Sequence, residues 1–231
     1  MADAAITSIM SFRFKQFAIQ DDRCAMKVGT DGVLLGAWCP TGMHILDVGT
    51  GSGLIARMLM QRCPEAQVEG IDIDAAAVEQ ACKNGVKAYC AKLQEWQGQY
   101  DLIVSNPPYF QNSLKNPDEG RKAARHTDSL SYAELMHHSA RLLTDKGQLA
   151  LILPADAETE VRGLAAAEKL SLTRVTRVYS KESKPARRVL MAFSRNTDIP
   201  EYRYTEDTLV LEDEKGGRSA AYSELCKEFY L

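Results

Sequence analysis

The chain contains 231 residues, of which 45% are apolar and 26% are charged, and its formal net charge is −3. This composition supports an apolar core of ordinary size and excludes recognition of nucleic acid through a large global positive charge. No apolar run approaches the roughly 20 residues needed to span a bilayer, and residues 1–14 lack the features of a signal peptide, so we expect a cytoplasmic protein without a membrane partner. The six cysteines show no Cys-x-x-Cys spacing, and we expect no metal.

Predicted strands and helices alternate along most of the chain. Near the N-terminus, the sequence predicts a strand over residues 12–17 and a helix over residues 30–38, with Thr30 or Asp31 as its cap. Further strands are predicted over residues 44–48, 67–73, 86–90, 100–105, 148–153, 172–179 and 188–194, the last two antiparallel at the sheet edge. Further helices are predicted over residues 54–62, 75–84, 132–143, 158–168 and 222–229. This order indicates an α/β fold with a mostly parallel, seven-stranded, doubly wound sheet and helices on both faces.

A glycine-rich turn follows the predicted strand 44–48 and begins the next helix. Its sequence is Asp47-Val48-Gly49-Thr50-Gly51-Ser52-Gly53. Glycines permit positive φ angles and a close approach of the backbone to a ligand, and the N-terminus of the following helix presents free N–H groups. Such a turn occurs in binders of NAD, FAD and S-adenosylmethionine, so by itself it does not distinguish these cofactors.

Two carboxylates favour S-adenosylmethionine among these cofactors. Asp47 would repel a pyrophosphate, but it can pair with the ammonium group of a methionine moiety. Asp72 ends the second strand of the alternation, about 20 residues after the glycines, where a carboxylate can accept hydrogen bonds from both ribose hydroxyls. We therefore predict a site for S-adenosylmethionine formed by Asp47, Gly49, Thr50, Gly51, Gly53, Asp72 and Ile73.

The loop Asn106-Pro107-Pro108-Tyr109 follows the strand 100–105, at the sheet edge where the glycine turn is expected. Consecutive prolines fix φ and carry no N–H, so the chain leaves the sheet in one rigid, extended shape. The Asn106 side-chain oxygen and the Pro107 carbonyl oxygen can then accept two hydrogen bonds from one planar NH₂ group and aim its lone pair at an incoming methyl group. Tyr109 offers a face on which a base can stack. We predict Asn106, Pro107, Pro108 and Tyr109 as a catalytic loop for direct, in-line methyl transfer to a planar nitrogen.

The glycine turn, the acidic end of the second strand and Asn-Pro-Pro-Tyr together resemble the Rossmann-like class I methyltransferases that act on amino nitrogens. Four further segments narrow the resemblance to the bacterial tRNA-valine adenine-N6 methyltransferases: residues 14–17 (FKQF), 22–38 (DRCAMKVGTDGVLLGAW), 187–193 (RRVLMAF) and 228–231 (EFYL). The resemblance implies methylation of the adenine 6-amino group at position 37 of tRNA-valine, with tRNA as the partner.

The resemblance also implies that residues 27–31 lie by the methionine end of the cofactor. We therefore expect Lys27 and Thr30 in the cofactor site, and residues 1–40 as an N-terminal extension that covers this site within a single domain, 1–231. The family has an acidic residue near the adenine ring at the end of the third strand, where this chain has Lys92-Leu93. The Leu93 backbone N–H can still meet the ring.

Local basic groups are the candidates for contacts with RNA phosphates, because the chain as a whole is acidic. We predict such contacts for Arg121, Lys122, Arg125, Arg187 and Arg188. The catalytic loop alone does not distinguish an adenine from an amide, so a protein glutamine-amide methyltransferase and an rRNA or DNA amino-methyltransferase are alternatives. A non-catalytic RNA-binding module is an alternative of another class. We expect a monomer.

Overall fold

The computed structural model of the protein describes residues 11–24, 27–108, 130–195 and 204–231. The strands are β1 (Ser11–Arg13), β2 (Ala18–Gln20), β3 (His44–Val48), β4 (Gln67–Asp72), β5 (Lys87–Cys90), β6 (Tyr100–Ser105), β7 (Leu143–Pro154), β8 (Ser171–Tyr179), β9 (Ala186–Ser194) and β10 (Thr205–Val210). The helices are α1 (Thr30–Trp38), α2 (Leu54–Arg62), α3 (Ala75–Lys83), α4 (Tyr132–Leu142), α5 (Glu158–Ala167) and α6 (Ala220–Leu225), with a 3₁₀ turn at Ala155–Ala157.

Eight of these strands form one sheet in the order β10-β8-β9-β7-β6-β3-β4-β5. All neighbours in it are parallel except β9, which is antiparallel to both β7 and β8. The predicted α/β class and the predicted antiparallel pair are therefore confirmed. The sheet has one strand more than the seven predicted, because β10 pairs in parallel with β8. Its polar sequence, TEDTLV, shows little of the apolar character expected of a strand.

Three predicted elements near the chain ends differ in the structure. Of the strand predicted over residues 12–17, only residues 12 and 13 lie in a strand, β1; residues 14–17 form the turn to β2, in which the Phe14 N–H donates to the Phe17 carbonyl at 2.8 Å. Gly29 is the N-cap of α1 in place of Thr30 or Asp31, and no side chain caps this helix. The predicted helix 222–229 is the shorter α6, which Ser219 caps through the Tyr222 N–H at 3.0 Å.

The sheet buries an apolar cluster on each of its faces. Successive residues of β7 point to opposite faces, so that Ile152 packs with α1 and α2 while Leu151 packs with α4 and α5. A sheet covered on both sides has strands that are apolar almost throughout, which is why these strands could be predicted. Within the described ranges, none of the helices combines the length and the apolar character needed to cross a membrane.

The chain order reverses between β3 and β6, which are neighbours at the centre of the sheet. From β3 the chain continues outward through β4 and β5, and from β6 it continues outward on the other side through β7. Ligands of open α/β sheets bind beyond the carboxyl ends of the strands at such a reversal. Val48 and Ser105 end these two strands side by side, so the segments that follow them begin next to each other.

Residues from the two ends of the chain pack against each other beside α2. The Lys15 N–H donates to the Phe229 carbonyl at 2.8 Å, and the rings of Phe14 and Tyr230 stack with centroids 6.1 Å apart. The Gln61 side chain of α2 donates to the Glu228 carbonyl at 2.8 Å. The hairpin of β1 and β2 is therefore held from one side by residues 228–230.

Candidate active site

The glycine turn between β3 and α2 contains three glycines with positive φ, but they have different surroundings. φ is +70° at Gly49, +55° at Gly51 and +79° at Gly53. Among the residues that the structure describes, a Cβ built on Gly49 meets no heavy atom within 4 Å, and one on Gly51 meets only the Gly49 carbonyl oxygen at 4.0 Å. A Cβ on Gly53 would lie 2.7 Å from the Val86 side chain. Gly49 and Gly51 therefore border open space that a ligand can fill, whereas Gly53 serves close packing.

Backbone hydrogen bonds hold the glycine turn against the end of β4. The N–H groups of Gly49 and Thr50 both donate to the Ile71 carbonyl, at 2.9 and 3.0 Å. The Gly51 N–H donates to Asp72 Oδ2 at 2.9 Å, and Asp72 Oδ1 accepts the Asp74 N–H at 3.0 Å. Each carboxylate oxygen can accept more than one hydrogen bond, so Asp72 can orient the turn and still accept ribose hydroxyls.

Asp47 presents a fully buried carboxylate beneath the turn. Its Oδ2 accepts the Thr50 hydroxyl at 2.8 Å and the Ala56 N–H at 3.3 Å, whereas Oδ1 has no hydrogen-bond partner within the described part of the chain. Burial raises the pKa of Asp47 to about 7, although the bonds from Thr50 and Ala56 lower it. A buried acceptor without a donor costs free energy. The ammonium group of a methionine moiety fits this oxygen.

Gly70 makes room for this arrangement and was not singled out in the sequence. A Cβ on Gly70, in β4, would lie 2.7 Å from Thr50 Oγ1 and 2.8 Å from Thr50 Cβ. Only glycine therefore lets the Thr50 side chain lie over β4 and donate to Asp47. An isolated glycine inside an apolar strand marks such a close approach of another segment, and this was the signal available in the sequence.

The segment after β6 leaves the sheet beside the glycine turn. The Ser105 hydroxyl is buried and donates to the Val48 carbonyl at 2.8 Å, which ties the end of β6 to the end of β3. Asn106 is partly buried, Pro107 is buried and Pro108 is exposed. Tyr109, the fourth residue of the predicted catalytic loop, lies outside the described residues, as do Arg121, Lys122 and Arg125.

Ile73 and Leu93 differ in what they can offer to a ligand. Ile73 directly follows Asp72, and 54% of it is exposed. Leu93 is 3% exposed, and its side chain packs in the cluster that contains α4 and α5, so only its backbone can reach an adenine ring. The exposed Cys90 ends β5 in register with Asp72, and its thiol donates to the Ile73 carbonyl at 3.6 Å.

The segment between β2 and α1 folds around Asp21. Asp21 Oδ2 accepts the Val28 N–H at 2.7 Å, and Lys27 Nζ donates to the Asp21 carbonyl and lies 3.8 Å from its carboxylate. Cys24 in this segment is buried; burial raises the pKa of its thiol to about 11, and the charge of Asp72 adds to the rise. The segment therefore lies near the end of β4. Thr30, the first residue of α1, is exposed.

The two predicted RNA contacts that the structure describes, Arg187 and Arg188, lie at the carboxyl edge of the sheet. Because β9 is antiparallel, its first residues reach the edge where β7 ends, and Arg188 pairs in register with Pro154. Arg188 Nε donates to Asp31 Oδ2 at 2.8 Å, which joins β9 to the start of α1. Arg187 is exposed.

Residues 32–173 match the model of the family described as methyltransferase small domain. The chain belongs to this family. Relatives from Bacteroides fragilis (strain YCH46), Parabacteroides distasonis and Flavobacterium johnsoniae are 40%, 44% and 40% identical to it. Each match covers 95% of this chain and 97%, 97% and 99% of the relative, respectively. All three are named tRNA1(Val) (adenine(37)-N6)-methyltransferase, which confirms the family predicted from the sequence motifs.

Solved structures of methyltransferases share the fold at low sequence identity. A predicted O-methyltransferase from Agrobacterium tumefaciens is 15% identical, with a TM-score of 0.67 over 86% of this chain and 96% of that chain. A geranyl diphosphate C-methyltransferase from Streptomyces coelicolor, solved with S-adenosyl-L-homocysteine, is 14% identical, with a TM-score of 0.51 over 70% of this chain and 78% of that chain. These similarities support the fold alone.

Membership of the methyltransferase family makes S-adenosylmethionine the cofactor of this chain, as predicted. The described residues fit this group at two places. The unpartnered Asp47 Oδ1 suits a cationic ammonium, and the open space above Gly49 and Gly51 admits a ligand against the backbone. Both places lie at the reversal between β3 and β6.

Proposed function

We propose that this protein transfers a methyl group from S-adenosylmethionine to the 6-amino group of adenine 37 in tRNA-valine. The observation that carries the proposal is the contact between the glycine turn and the start of the catalytic loop, through the Ser105–Val48 hydrogen bond of 2.8 Å. It brings a cofactor site and an acceptor for a planar amine together at the reversal of the sheet. The names of the relatives supply the substrate.

We infer distinct roles for the residues of the cofactor site. S-adenosylmethionine, when bound, supplies an electrophilic methyl group. Asp47 pairs with the ammonium of its methionine moiety, Asp72 accepts the ribose hydroxyls, and Ile73 covers one face of the adenine. The remaining proposed contacts come from Gly49, Thr50 and Gly51, from the Leu93 backbone, and from Lys27 and Thr30 in an N-terminal extension, residues 1–40, that covers the site within a single domain. Gly53, predicted from the sequence among these contacts, supports the turn by packing against Val86.

The catalytic loop acts by positioning in this proposal. The Asn106 side-chain oxygen and the Pro107 carbonyl accept the two N–H bonds of the target amine, and this aims its lone pair along the line of transfer. Pro108 keeps the backbone rigid, and Tyr109 stacks on the adenine. No proton leaves the nitrogen before attack, and the two hydrogen bonds strengthen as the nitrogen becomes cationic.

The tRNA backbone is held, in this proposal, by basic residues at the carboxyl edge of the sheet. Two strand spacings, roughly 10 Å in total, separate β9 from β6, so Arg187 can contact phosphates near the target nucleotide. Arg188 is proposed as a further contact, anchored by Asp31. Arg121, Lys122 and Arg125 follow the catalytic loop in sequence and complete the proposed set. We propose that the protein acts as a monomer in the cytoplasm.

The decisive experiment is incubation of the protein with unmodified tRNA-valine and S-adenosylmethionine labelled in its methyl group, followed by nucleoside analysis. We expect label in N6-methyladenosine, at position 37. The same tRNA with guanosine at position 37 is the matched control and should remain unlabelled. Label in a protein glutamine or at another RNA position would contradict the proposed substrate, and the absence of cofactor binding would contradict the function itself.

A further inference from the structure

One side-chain amide, that of Asn84, joins two segments that are distant in sequence. Its Oδ1 accepts the backbone N–H of Gln20 at 3.0 Å. Its Nδ2 donates to the Gln20 carbonyl at 2.7 Å and to the Ser52 carbonyl at 2.8 Å. Gln20 is the last residue of β2, and Ser52 lies in the glycine turn. The amide thus uses its acceptor and both of its donors to connect the N-terminal hairpin to the cofactor turn.

The end of α3 fixes this amide in place. Asn84 is the C-cap of the helix, and the next residue, Gly85, has a φ of +83°. Backbone bonds at 3.0 Å from Gly85 to Cys82 and from Val86 to Ala81 close the turn. A left-handed glycine after the last helical residue is a common and well-defined helix ending. The side chain of Asn84 therefore projects from a rigid position.

The hairpin that Asn84 holds leads directly into the segment between β2 and α1, which lies near Asp72 at the end of β4. The chain passes from Gln20 to Asp21, whose carboxylate accepts the Val28 N–H at 2.7 Å. Cys24, which lies between Asp21 and Val28 in the sequence, is buried, with 6% of its surface exposed. The described residues of this segment, 21–24, 27 and 28, are thus set in place at one end by the hairpin and at the other by α1.

We infer that Asn84 is a positioning residue for the cofactor, which holds β2 against the glycine turn and thereby fixes residues 21–24 beside the cofactor site. The inference deepens the proposed function and rests on the cofactor site described there. Asn84 touches the backbone carbonyl of the turn and has no role in the chemical step. Its loss therefore weakens cofactor binding more than it slows methyl transfer.

Asn84→Asp is the sharpest substitution because it keeps the size of the side chain and removes both donors. The carboxylate would face the carbonyl oxygens of Gln20 and Ser52, which repel it. Asn84→Ala removes all three bonds. Gln80→Ala is the control for general destabilisation of α3: Gln80 is 1% exposed in the same helix, and its substitution leaves the atoms of all three Asn84 side-chain bonds in place.

Steady-state kinetics with tRNA-valine test the inference. For Asn84→Asp and Asn84→Ala we expect KM for S-adenosylmethionine to rise about tenfold, while kcat at saturating cofactor stays within about twofold of the wild type. For Gln80→Ala we expect a lower melting temperature with an unchanged KM. An unchanged KM in both Asn84 variants, or an equal rise in Gln80→Ala, would overturn the inference.

Thiol labelling gives a second readout that general destabilisation does not reproduce. If Asn84 holds the hairpin, then alkylation of Cys24 should accelerate about tenfold or more in the Asn84 variants. Cys39, which is 1% exposed at the end of α1, should stay protected and report on global unfolding. Parallel acceleration at Cys24 and Cys39 would mean loss of the whole fold and would refute a local role.

The wild-type protein offers a test that does not depend on the folding of any variant. Bound S-adenosylmethionine should slow hydrogen exchange of the Gln20 backbone N–H several-fold, because this group donates to Asn84 Oδ1. Exchange that is unaffected by bound cofactor would contradict the inference. A wild-type protein that bound no cofactor at all would instead refute the proposed function, so the two failures are distinguishable.

Discussion

The buried carboxylate of Asp47 lowers the stability of the cofactor-free protein, but it is the proposed partner of the cofactor's ammonium group. Burial raises the pKa of its carboxyl from 3.8 to about 7, so the protein without cofactor favours the protonated form. The contribution of the protonated Asp47 to the free energy of unfolding is fully present below about pH 4. It is lost as the pH rises through about 7, because the buried group then becomes charged. A bound ammonium reverses the preference, because it favours the carboxylate.

This reasoning predicts the behaviour of Asp47→Asn, which stays neutral at every pH. Without cofactor, the variant should melt at a higher temperature than the wild type at about pH 8, by roughly 2–4 °C for each kcal/mol gained, and the difference should disappear near pH 4. Its affinity for S-adenosylmethionine should fall tenfold or more, since the ammonium loses its partner. Thermal melts and calorimetric titration measure the two effects. A variant that bound the cofactor normally would remove Asp47 from the site.

Substitution of Asn106 should separate the effect on methyl transfer from the effect on cofactor binding. We predict that Asn106→Ala reduces methyl transfer at least about 100-fold, because one of the two acceptors of the target amine is lost. Affinity for S-adenosylmethionine should stay within about twofold, since the cofactor contacts proposed here belong to other segments. Single-turnover assays and calorimetry on the same preparation measure both quantities. Full transfer by this variant would exclude the proposed role.

Residues that belong to a short sequence motif could be singled out from the sequence, whereas residues that matter only through an unpredicted contact with a distant segment could not. Asp47, Gly49 and Gly51 lie within one strand-to-helix turn, whose spacing is visible in the sequence. Asn84 bonds to Gln20, 64 residues away, and Gly70 matters only because Thr50 packs on it. Such pairings depend on how the strands are ordered in the sheet, which a single sequence does not specify.

At the scale of secondary-structure elements, the glycine turn has two parts. Gly49 and Gly51 border the space proposed for the ligand, whereas Gly53 supports α2. We predict opposite outcomes for two alanine substitutions. Gly49→Ala should lower stability by only about 1–2 kcal/mol, the cost of positive φ, but it should reduce cofactor affinity strongly because the new methyl group enters the open space. Gly53→Ala should lower stability further, because its Cβ would lie 2.7 Å from the Val86 side chain.

Denaturant titration and cofactor binding, measured on both variants, check this division. Val86→Ala combined with Gly53→Ala is the control, because removal of the clashing methyl groups should recover part of the lost stability. Equal losses of cofactor affinity in Gly49→Ala and Gly53→Ala would show that the two glycines are not distinguished in this way.

The elements that were predicted correctly are those with a strong apolar pattern. Strands β3, β4, β6 and β7 lie inside the sheet, and each contains a run of buried residues that is visible in the sequence, such as residues 149–153 of β7. A single strand was predicted over residues 12–17 because the alternation of apolar and polar residues continues past β1 into the turn, and β2 was not predicted. β10 was missed because an edge strand is covered less and its sequence is polar.

For the molecule as a whole, the net charge of −3 means that any contact with RNA must come from the local arrangement of charges. We predict that Arg187→Ala weakens binding of tRNA-valine and reduces the slope of log affinity against log salt by about one. Lys146→Ala is the matched control, because Lys146 is exposed in β7 between Leu143 and Gln148, which pair with the first residues of β6 at the opposite edge of the sheet.

Filter binding over a series of salt concentrations measures both slopes. The control variant should retain the slope and the affinity of the wild type. If the loss of Lys146 and the loss of Arg187 had equal effects, tRNA would not bind preferentially at the carboxyl edge of the sheet.

The packing of residues 228–230 against the hairpin has a consequence for biosynthesis. Lys15 and Lys227, which share a hydrogen bond, are 212 residues apart in the chain. The ribosome makes the hairpin first, and it makes residues 228–230, which hold the hairpin in place, much later. A nascent chain can therefore form its central strands early, whereas the hairpin that Asn84 fastens to the glycine turn gains this support only after residues 228–230 have left the exit tunnel.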